Sequence, residues 1–418
     1  MTHGPVVGAV TARTARVWLR TSGPASVKIE SAADGQTQTK YVSGTFVSDD
    51  KNDFTLQIPL ENLTPATQYD VTVWVNESAQ PRQGRFRTFP NENNAAPFKM
   101  VILTDFGYLQ APVSNRVFEL AAAENPDLVF IGGDFDHRDP KLVPAKRQMF
   151  QDLYSDDPNA PLADFAKFIL HNYPLAYQWD DHDYGGDNSD RTATWRESAL
   201  QVYREYFPSY PMGKYGIYQS FRYGKEVEVF VLDGRSQRDP NQTPDDANKS
   251  MLNGERHPDG QVQWLLDGLK NSTATWKLIM SPSVLNRTMH KTDSWANFSH
   301  ERETILNFIK LEKIDGVIVI AGDLHGGALD DGRNAGIPSA VIPSVNLPTC
   351  MSVPRAKLGE WSHGVYGDAL KDKNNTPCVG YGVVTMQERH ARIAIKDGSG
   401  SLKLEMNMVS PTSFRSNP

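Results

Sequence analysis

Within the first ninety residues, apolar side chains fall on alternate positions in short runs. Segments 16–20, 26–30, 54–58 and 69–75 all carry this period of two, which a half-buried strand requires. Turn residues separate them and no helical spacing intervenes, so the pattern predicts a β-sandwich over residues 1–90. Residues 91–97 (Asn-Glu-Asn-Asn-Ala-Ala-Pro) follow Pro90, are mostly polar and lack periodicity, which marks a linker. From residue 98 the rhythm changes to strands alternating with helices. Segments 98–103, 127–131, 227–232, 276–280 and 316–320 are near-continuous apolar runs, as buried strands are. Helical spacing recurs over 113–124, 260–269 and 300–311. Segments 380–385, 391–395 and 402–406 alternate again, so residues 98–418 form an α+β or layered α/β domain that ends in antiparallel strands.

Composition narrows the classes. The chain has 418 residues, 39% of them hydrophobic and 22% charged, which excludes disorder and suits two or three domains. The net charge is −7, with no long basic run, which argues against a duplex nucleic-acid partner. No apolar stretch approaches the ~20 residues of a membrane-spanning helix. The first residues, Met-Thr-His-Gly-Pro, show no secretory signal, although one already removed stays open. Cys350 and Cys378 are the two cysteines, too few for a cysteine-based metal or disulfide framework. One disulfide or two separate thiols are both open, and the compartment depends on which.

The chemistry sits where apolar runs end. Asp105 follows the run ending at Leu103, and Asp134 and His137 follow the one ending at Ile131. Asp233 and Arg235 follow Leu232, and Asp323 and His325 follow Ile320. Ligands of open α/β sheets bind outside the carboxyl ends of strands, so these residues are expected on one rim. Carboxylates crowded there repel one another unless a cation neutralises them. Aspartate oxygens mixed with imidazole nitrogens suit Fe, Mn or Zn better than an all-oxygen calcium cage, with Ca a further option. Two such ions can polarise a phosphoryl group and generate hydroxide to attack phosphorus. A further block, Trp179-Asp180-Asp181-His182-Asp183, is expected in a glycine-containing loop. On an extended backbone Asp181 and His182 point apart, which makes His182 a general acid beside a metal ligand.

Together, Thr104-Asp105-Phe106-Gly107, Gly133-Asp134-Phe135-Asp136-His137, Trp179 to Asp183 and Gly322-Asp323-Leu324-His325 resemble the motifs of calcineurin-like metallophosphoesterases, most closely the PhoD-type alkaline phosphatase branch. Asp233-Gly234-Arg235 with Arg238, and Asp293-Ser294-Trp295 followed by Glu301-Arg302-Glu303, match that branch too. Residues 63–69 are similar to a strand-connecting turn of fibronectin-type modules, consistent with an immunoglobulin- or fibronectin-like N-terminal domain. The resemblance implies that Asp134 bridges two metals and that Asp105 and His137 complete one site. Asp181, Asp323 and His325 serve the other or share the rim. It implies a catalytic or phosphate-contacting role for His182. Arg235 either contacts substrate phosphate or forms a structural salt bridge to a rim carboxylate, Asp233 orients it, and Asp180 and Asp183 take supporting roles. The branch often carries a cysteine in its first motif and a tyrosine three residues after the bridging aspartate. Here Asp105 and His137 stand there, which leaves metal identity open, with Tyr108 either a substitute ligand or a packed ring.

The expected function is a dinuclear-metal phosphomonoesterase or phosphodiesterase acting on small molecules. The rival from another class is a metal-containing binding or adhesion protein without catalysis. A third possibility is metal-dependent hydrolysis of a bond without phosphorus. The resemblance favours a periplasmic or secreted location, with cytoplasm the alternative. Mono- against diester preference, natural substrate and oligomeric state have no signature in the sequence.

Overall fold

The computed structural model describes residues 1–33, 40–107, 116–289, 292–347, 359–367 and 379–410. Tyr108, Cys350 and Cys378 lie outside them. Two large sheets stack face to face at the centre. The first has nine strands in the spatial order Leu402–Val409, His390–Asp397, Gly380–Gln387, Phe98–Leu103, Leu128–Ile131, Leu175–Tyr177, His3–Gly8, Ala15–Arg20, Thr55–Leu60. The second has seven: Gln219–Tyr223, Val227–Val231, Trp276–Met280, Val317–Ala321, Ser339–Val341, Gly327–Asp330, Val365–Tyr366. The expected single rim therefore belongs to two sheets rather than one open sheet.

The continuous apolar runs are explained by burial on both faces. Met100 and Ile102 point into the layer between the sheets, together with Leu278, Met280, Ile318 and Ile320. Their neighbours Val101 and Leu103 point outward, beneath helices Val117–Ala123, Val143–Leu153 and Arg196–Tyr206. On the far side, Ile279, Val317 and Val319 lie under helices Gln261–Asn271 and Ser299–Leu311. The layers run helix, sheet, sheet, helix. The last three strands of the first sheet are antiparallel, as the alternation over 380–406 predicts.

The N-terminal strands are divided between two sheets. Ala25–Ala33, Lys40–Val42, Phe46–Ser48, Gln68–Val75 and Ser78–Arg87 form a separate five-stranded sheet. The other three strands of this region instead extend the nine-stranded sheet, joined by a parallel pairing of Gly8 with Leu175. Val17, Leu19, Ile58 and Leu60 from that extension pack with Val27, Ile29, Val71 and Val73 of the small sheet.

The two large sheets meet at the carboxyl ends of their central strands. Thr104 bridges Ser344 in parallel fashion. Beside it, a Cβ on Gly322 would lie 2.2 Å from Thr104 Oγ1 and 3.3 Å from the Gly132 carbonyl. Only glycine lets three strand ends converge this closely.

Candidate metal centre

Asp105 and Asp134 leave the first sheet where it touches the second, and Asp323 and His325 leave the second. All four have left-handed backbones, with φ of 55°, 48°, 71° and 51°. Such conformations cost non-glycine residues about 1–3 kcal/mol each and persist where the surroundings enforce them.

The ligand atoms fall into two groups that share a residue. Asp105, Asp134, His137 and His325 offer one atom each, all within 4.8 Å of one another, and so do Asp134, Asp181 and His182. His137 Nε2 lies 3.6 Å from Asp134 Oδ2, and His325 Nε2 lies 3.6 Å from Asp105 Oδ1. His325 thus stands with Asp105 and His137. Asp323 is in neither group; it lies within electrostatic reach of Asp180, Asp293 and Asp181.

Two atoms mark the first group as a candidate cation site. The Nδ1 of His137 meets the Phe106 carbonyl at 2.9 Å, so Nδ1 carries the proton and Nε2 presents a lone pair. That Nε2 and Asp105 Oδ1 are buried without hydrogen bonds. Buried polar atoms are otherwise almost always paired, and both here converge on one volume. Burial and the neighbouring His182 and His325 push His137 down to about 3, which keeps it neutral and competent to ligate. Asp134 is driven the opposite way, well above the carboxylate range, by burial and by Asp181, Asp180 and Asp105. A cation among them reverses that cost.

The 179–186 segment departs from expectation. Asp181–Tyr184 is a short helix, not an extended loop, with Asp183 Oδ1 accepting from the Asp180 backbone at 2.7 Å. On a helix Asp181 and His182 can both reach the rim. Asp181 Oδ2 accepts from the Asn188 backbone at 2.6 Å, and the His182 backbone donates to Asp134 Oδ1 at 3.2 Å. The His182 Nδ1 meets Asp139 Oδ1 at 2.7 Å, aiming Nε2 away from that carboxylate. Burial alone would lower His182, but Asp181 and Asp139 outweigh it and the ring sits above its ordinary value.

The supporting acids lie beneath. Asp183 accepts from Tyr177 Oη at 2.6 Å and from the Phe135 backbone at 3.1 Å, tying the 134–137 turn to the short helix. Burial lifts it to about 6. Asp233 accepts from Trp179 Nε1 at 3.1 Å, from the Ile217 backbone at 3.0 Å and from Ser236 Oγ at 2.5 Å, and fixes the turn that carries Arg235. Arg235 itself is 0% exposed. Its Nε pairs with Asp180 and its Nη2 with Asp293 at 2.8 Å, while Asp181 Oδ2 lies 3.7 Å away. Asp139 was missed from the sequence: it carries no periodicity signal, only its nearness to His137.

Comparisons with known proteins bear on the family and the fold. A family model described as PhoD-like phosphatase matches residues 114–342, and one described as a domain of unknown function (DUF7800) matches residues 1–92. Alkaline phosphatase D of Bacillus subtilis (strain 168) is 29% identical over 201 residues, 41% of this chain and 33% of that protein. The match spans about a third of that relative's length. The solved structure of PhoD superposes with a TM-score of 0.74 at 18% identity, covering 96% of this chain and 87% of that one. Purple acid phosphatase PPD1 from yellow lupin seeds superposes with a TM-score of 0.66 at 13% identity, covering 97% and 74%. At these identities the two superpositions speak for the fold.

Proposed function

The chain belongs to the PhoD-like phosphatase family, and from that premise we propose that it hydrolyses small-molecule phosphoesters with two metal ions bound at the rim. The observation that carries this reading is the sharing of Asp134 between two ligand groups, since a carboxylate so placed can serve two neighbouring ions. Asp105, Asp134, His137 and His325 would hold one ion, and Asp134 and Asp181, with His182 in the same ligand group, would hold the other. Fe, Mn or Zn suit the mixed nitrogen and oxygen donors, with Ca a further option. When bound, such ions polarise the phosphoryl group and lower the pKa of water.

The remaining residues act around that chemistry. His182, oriented by Asp139, protonates the leaving oxygen. Arg235 is a positioning residue in this reading: its carboxylate partners occupy the guanidinium, and substrate phosphate meets the rim above it. Asp180, Asp183 and Asp233 hold the ligand-bearing turns in register. Asp323 contributes its charge from the second sheet.

The finer parts of the fold belong to the same proposal. Thr64 donates its backbone N–H to Tyr69 Oη at 2.9 Å, the corner hydrogen bond of immunoglobulin- and fibronectin-like sandwiches, which supports that identity for residues 1–90. Residues 91–97 then link it to a metallophosphoesterase domain over 98–418. We also place the protein in the periplasm or outside the cell; mass spectrometry with and without thiol alkylation tests that through Cys350 and Cys378. Among the described residues no helix is long and apolar enough to cross a membrane.

Elemental analysis with an assay on a chromogenic phosphomonoester and phosphodiester tests the function. About two ions per chain and hydrolysis of either ester are expected. A metal-bearing protein inert on both would return the reading to a binding protein.

A further inference from the structure

Two adjoining cavities, of about 410 and 650 Å³, open between the five-stranded N-terminal sheet and the end of the large sheets opposite the rim. Arg87, Asn125 and Asp127 line both. Lys99 and Asp127 stand at the amino ends of strands Phe98–Leu103 and Leu128–Ile131, whose carboxyl ends lead to Asp105 and Asp134, so roughly 20 Å of strand separates the cavities from the metal centre. The walls carry five Arg and Lys side chains, Arg85, Arg87, Lys99, Lys167 and Arg392, against one carboxylate, that of Asp127. The chain as a whole is net −7, so this excess is local. Arg85 is committed to Asp70 at 3.3 Å and Arg392 to Glu405. The other three form no carboxylate ion pair among the described residues: Lys99 Nζ donates to the Glu124 backbone carbonyl at 2.7 Å, Lys167 Nζ lies 4.7 Å over the Phe168 ring, and Arg87 is exposed. Asp127 is within electrostatic reach of Arg87 and Lys99, but its Oδ2 already accepts the Lys99 backbone N–H at 2.9 Å. Lys167 and Phe168 stand on a π-helical turn, Ala166–Leu170, a rare winding that is frequent at functional sites.

We propose that these cavities form a second ligand site, separate from the rim, that takes a small oligo-anion carrying several phosphate or sulfate groups. Ligand pockets favour domain interfaces and volumes of this size, and guanidinium and ammonium groups are the side chains that hold such anions. A single small anion would meet only part of the set. Charges spread over both cavities match a ligand whose own charges are spread, and cations from the N-terminal sheet (Arg87) and from beyond the linker (Lys99, Lys167) would be bridged by it. Binding therefore ties the two parts of the chain together and stabilises the folded state.

The test is equilibrium dialysis of the metal-loaded protein against two probes, myo-inositol hexasulfate and inorganic tripolyphosphate, with unfolding midpoints measured beside it. For one probe or both, one site per chain is expected that Asp134→Asn retains, that weakens as salt rises and that raises the Tm. Arg87→Glu and Lys167→Glu, both at exposed positions, should each weaken that site at least about tenfold and abolish the gain in Tm. Arg333→Glu, which reverses an arginine 76% exposed elsewhere on the surface, should bind as the wild type does. Saturation by one probe only, with the same pattern among the variants, supports the proposal and names the group. No saturable binding of either probe, a site lost in Asp134→Asn, wild-type affinity in Arg87→Glu or in Lys167→Glu, or an equal loss in Arg333→Glu would each overturn it. None of these outcomes depends on hydrolysis at the rim, so the phosphoesterase reading stands or falls separately.

Discussion

Two sets of buried aspartates lie within one layer of each other and are treated in opposite ways. At the rim, Asp105 Oδ1 has no hydrogen bond, and its histidine neighbour His137 leaves Nε2 equally bare. Below, Asp183 accepts from one hydroxyl and two backbone N–H groups, and Asp233 from an indole, a hydroxyl and several backbone groups. Both sets are fully removed from water, so burial alone does not separate a ligand from a structural acid. The separation lies in where the lone pairs go. Lower acids spend theirs on the protein and hold it together; at the rim Asp105 Oδ1 and His137 Nε2 keep theirs, while Asp134 and Asp181 each still accept from backbone N–H groups, and Asp105 and Asp134 sit on left-handed backbones.

The contrast is broken most severely at the shared residue. Asp134→Asn should lose both metals and at least about 10³-fold in kcat/KM, about 4 kcal/mol of transition-state stabilisation, while the protein stays folded. Elemental analysis beside circular dichroism checks it. Retention of either ion at full occupancy would remove Asp134 from the bridge. The converse substitution is Asp233→Ala, which strands the Trp179 indole and the Ile217 N–H. It should cost about 3 kcal/mol of stability by denaturant titration, with metal content unchanged in the folded fraction. If stability holds and metals leave, the two sets of acids have been assigned the wrong way round.

His182 and Asp139 sharpen the same line from the rim side. His182→Asn should lower kcat about 10²-fold for alkyl phosphoesters and much less for nitrophenyl esters, whose leaving groups need no proton. Equal losses on both would point to a ligand and not an acid. Asp139→Asn should cost about 10-fold, because it only orients the ring.

Much of the rim was legible because strand-end chemistry is local. An apolar run followed by aspartate, glycine or histidine can be read from adjacent residues, which is why Asp105, Asp134, His137 and His325 could be named as candidates, and the fold brings these four together. The rest depended on contacts distant in sequence. Nothing near Gly8 says that it pairs with Leu175, so the joining of the N-terminal strands to the catalytic sheet could not be read. For Arg235 the sequence leaves phosphate contact and a salt bridge to a rim carboxylate both open; only folding brings Asp180 and Asp293 to it. The helices Val143–Leu153 and Arg196–Tyr206 were missed since their apolar positions are sparse between charged ones, and their burial comes from the sheet they cover.

The smallest expected effect uses a second buried histidine as a control. His3, at the start of the N-terminal strand, is pushed down to about 4 by burial and by Arg20 and Arg82, the same direction as His137 but far from any ligand group. Because the folded value lies below the unfolded value of about 6.5, the unfolded chain binds more protons between these limits. Stability therefore rises with pH from about 4 to about 6.5, is complete above that window, and is lost as the pH falls through it. The slope is at most about 1.4 kcal/mol per pH unit for one proton, less where solvent screens the ring. His3→Gln should flatten this part of the stability curve equally in metal-loaded and metal-stripped protein, measured as unfolding midpoints across pH 4 to 7. His137, which burial and its histidine neighbours push down to about 3, is neutral across pH 4 to 7 with or without metal, so in a His3→Gln background any change of the acid limb on stripping metal reports the rim carboxylates and not this ring.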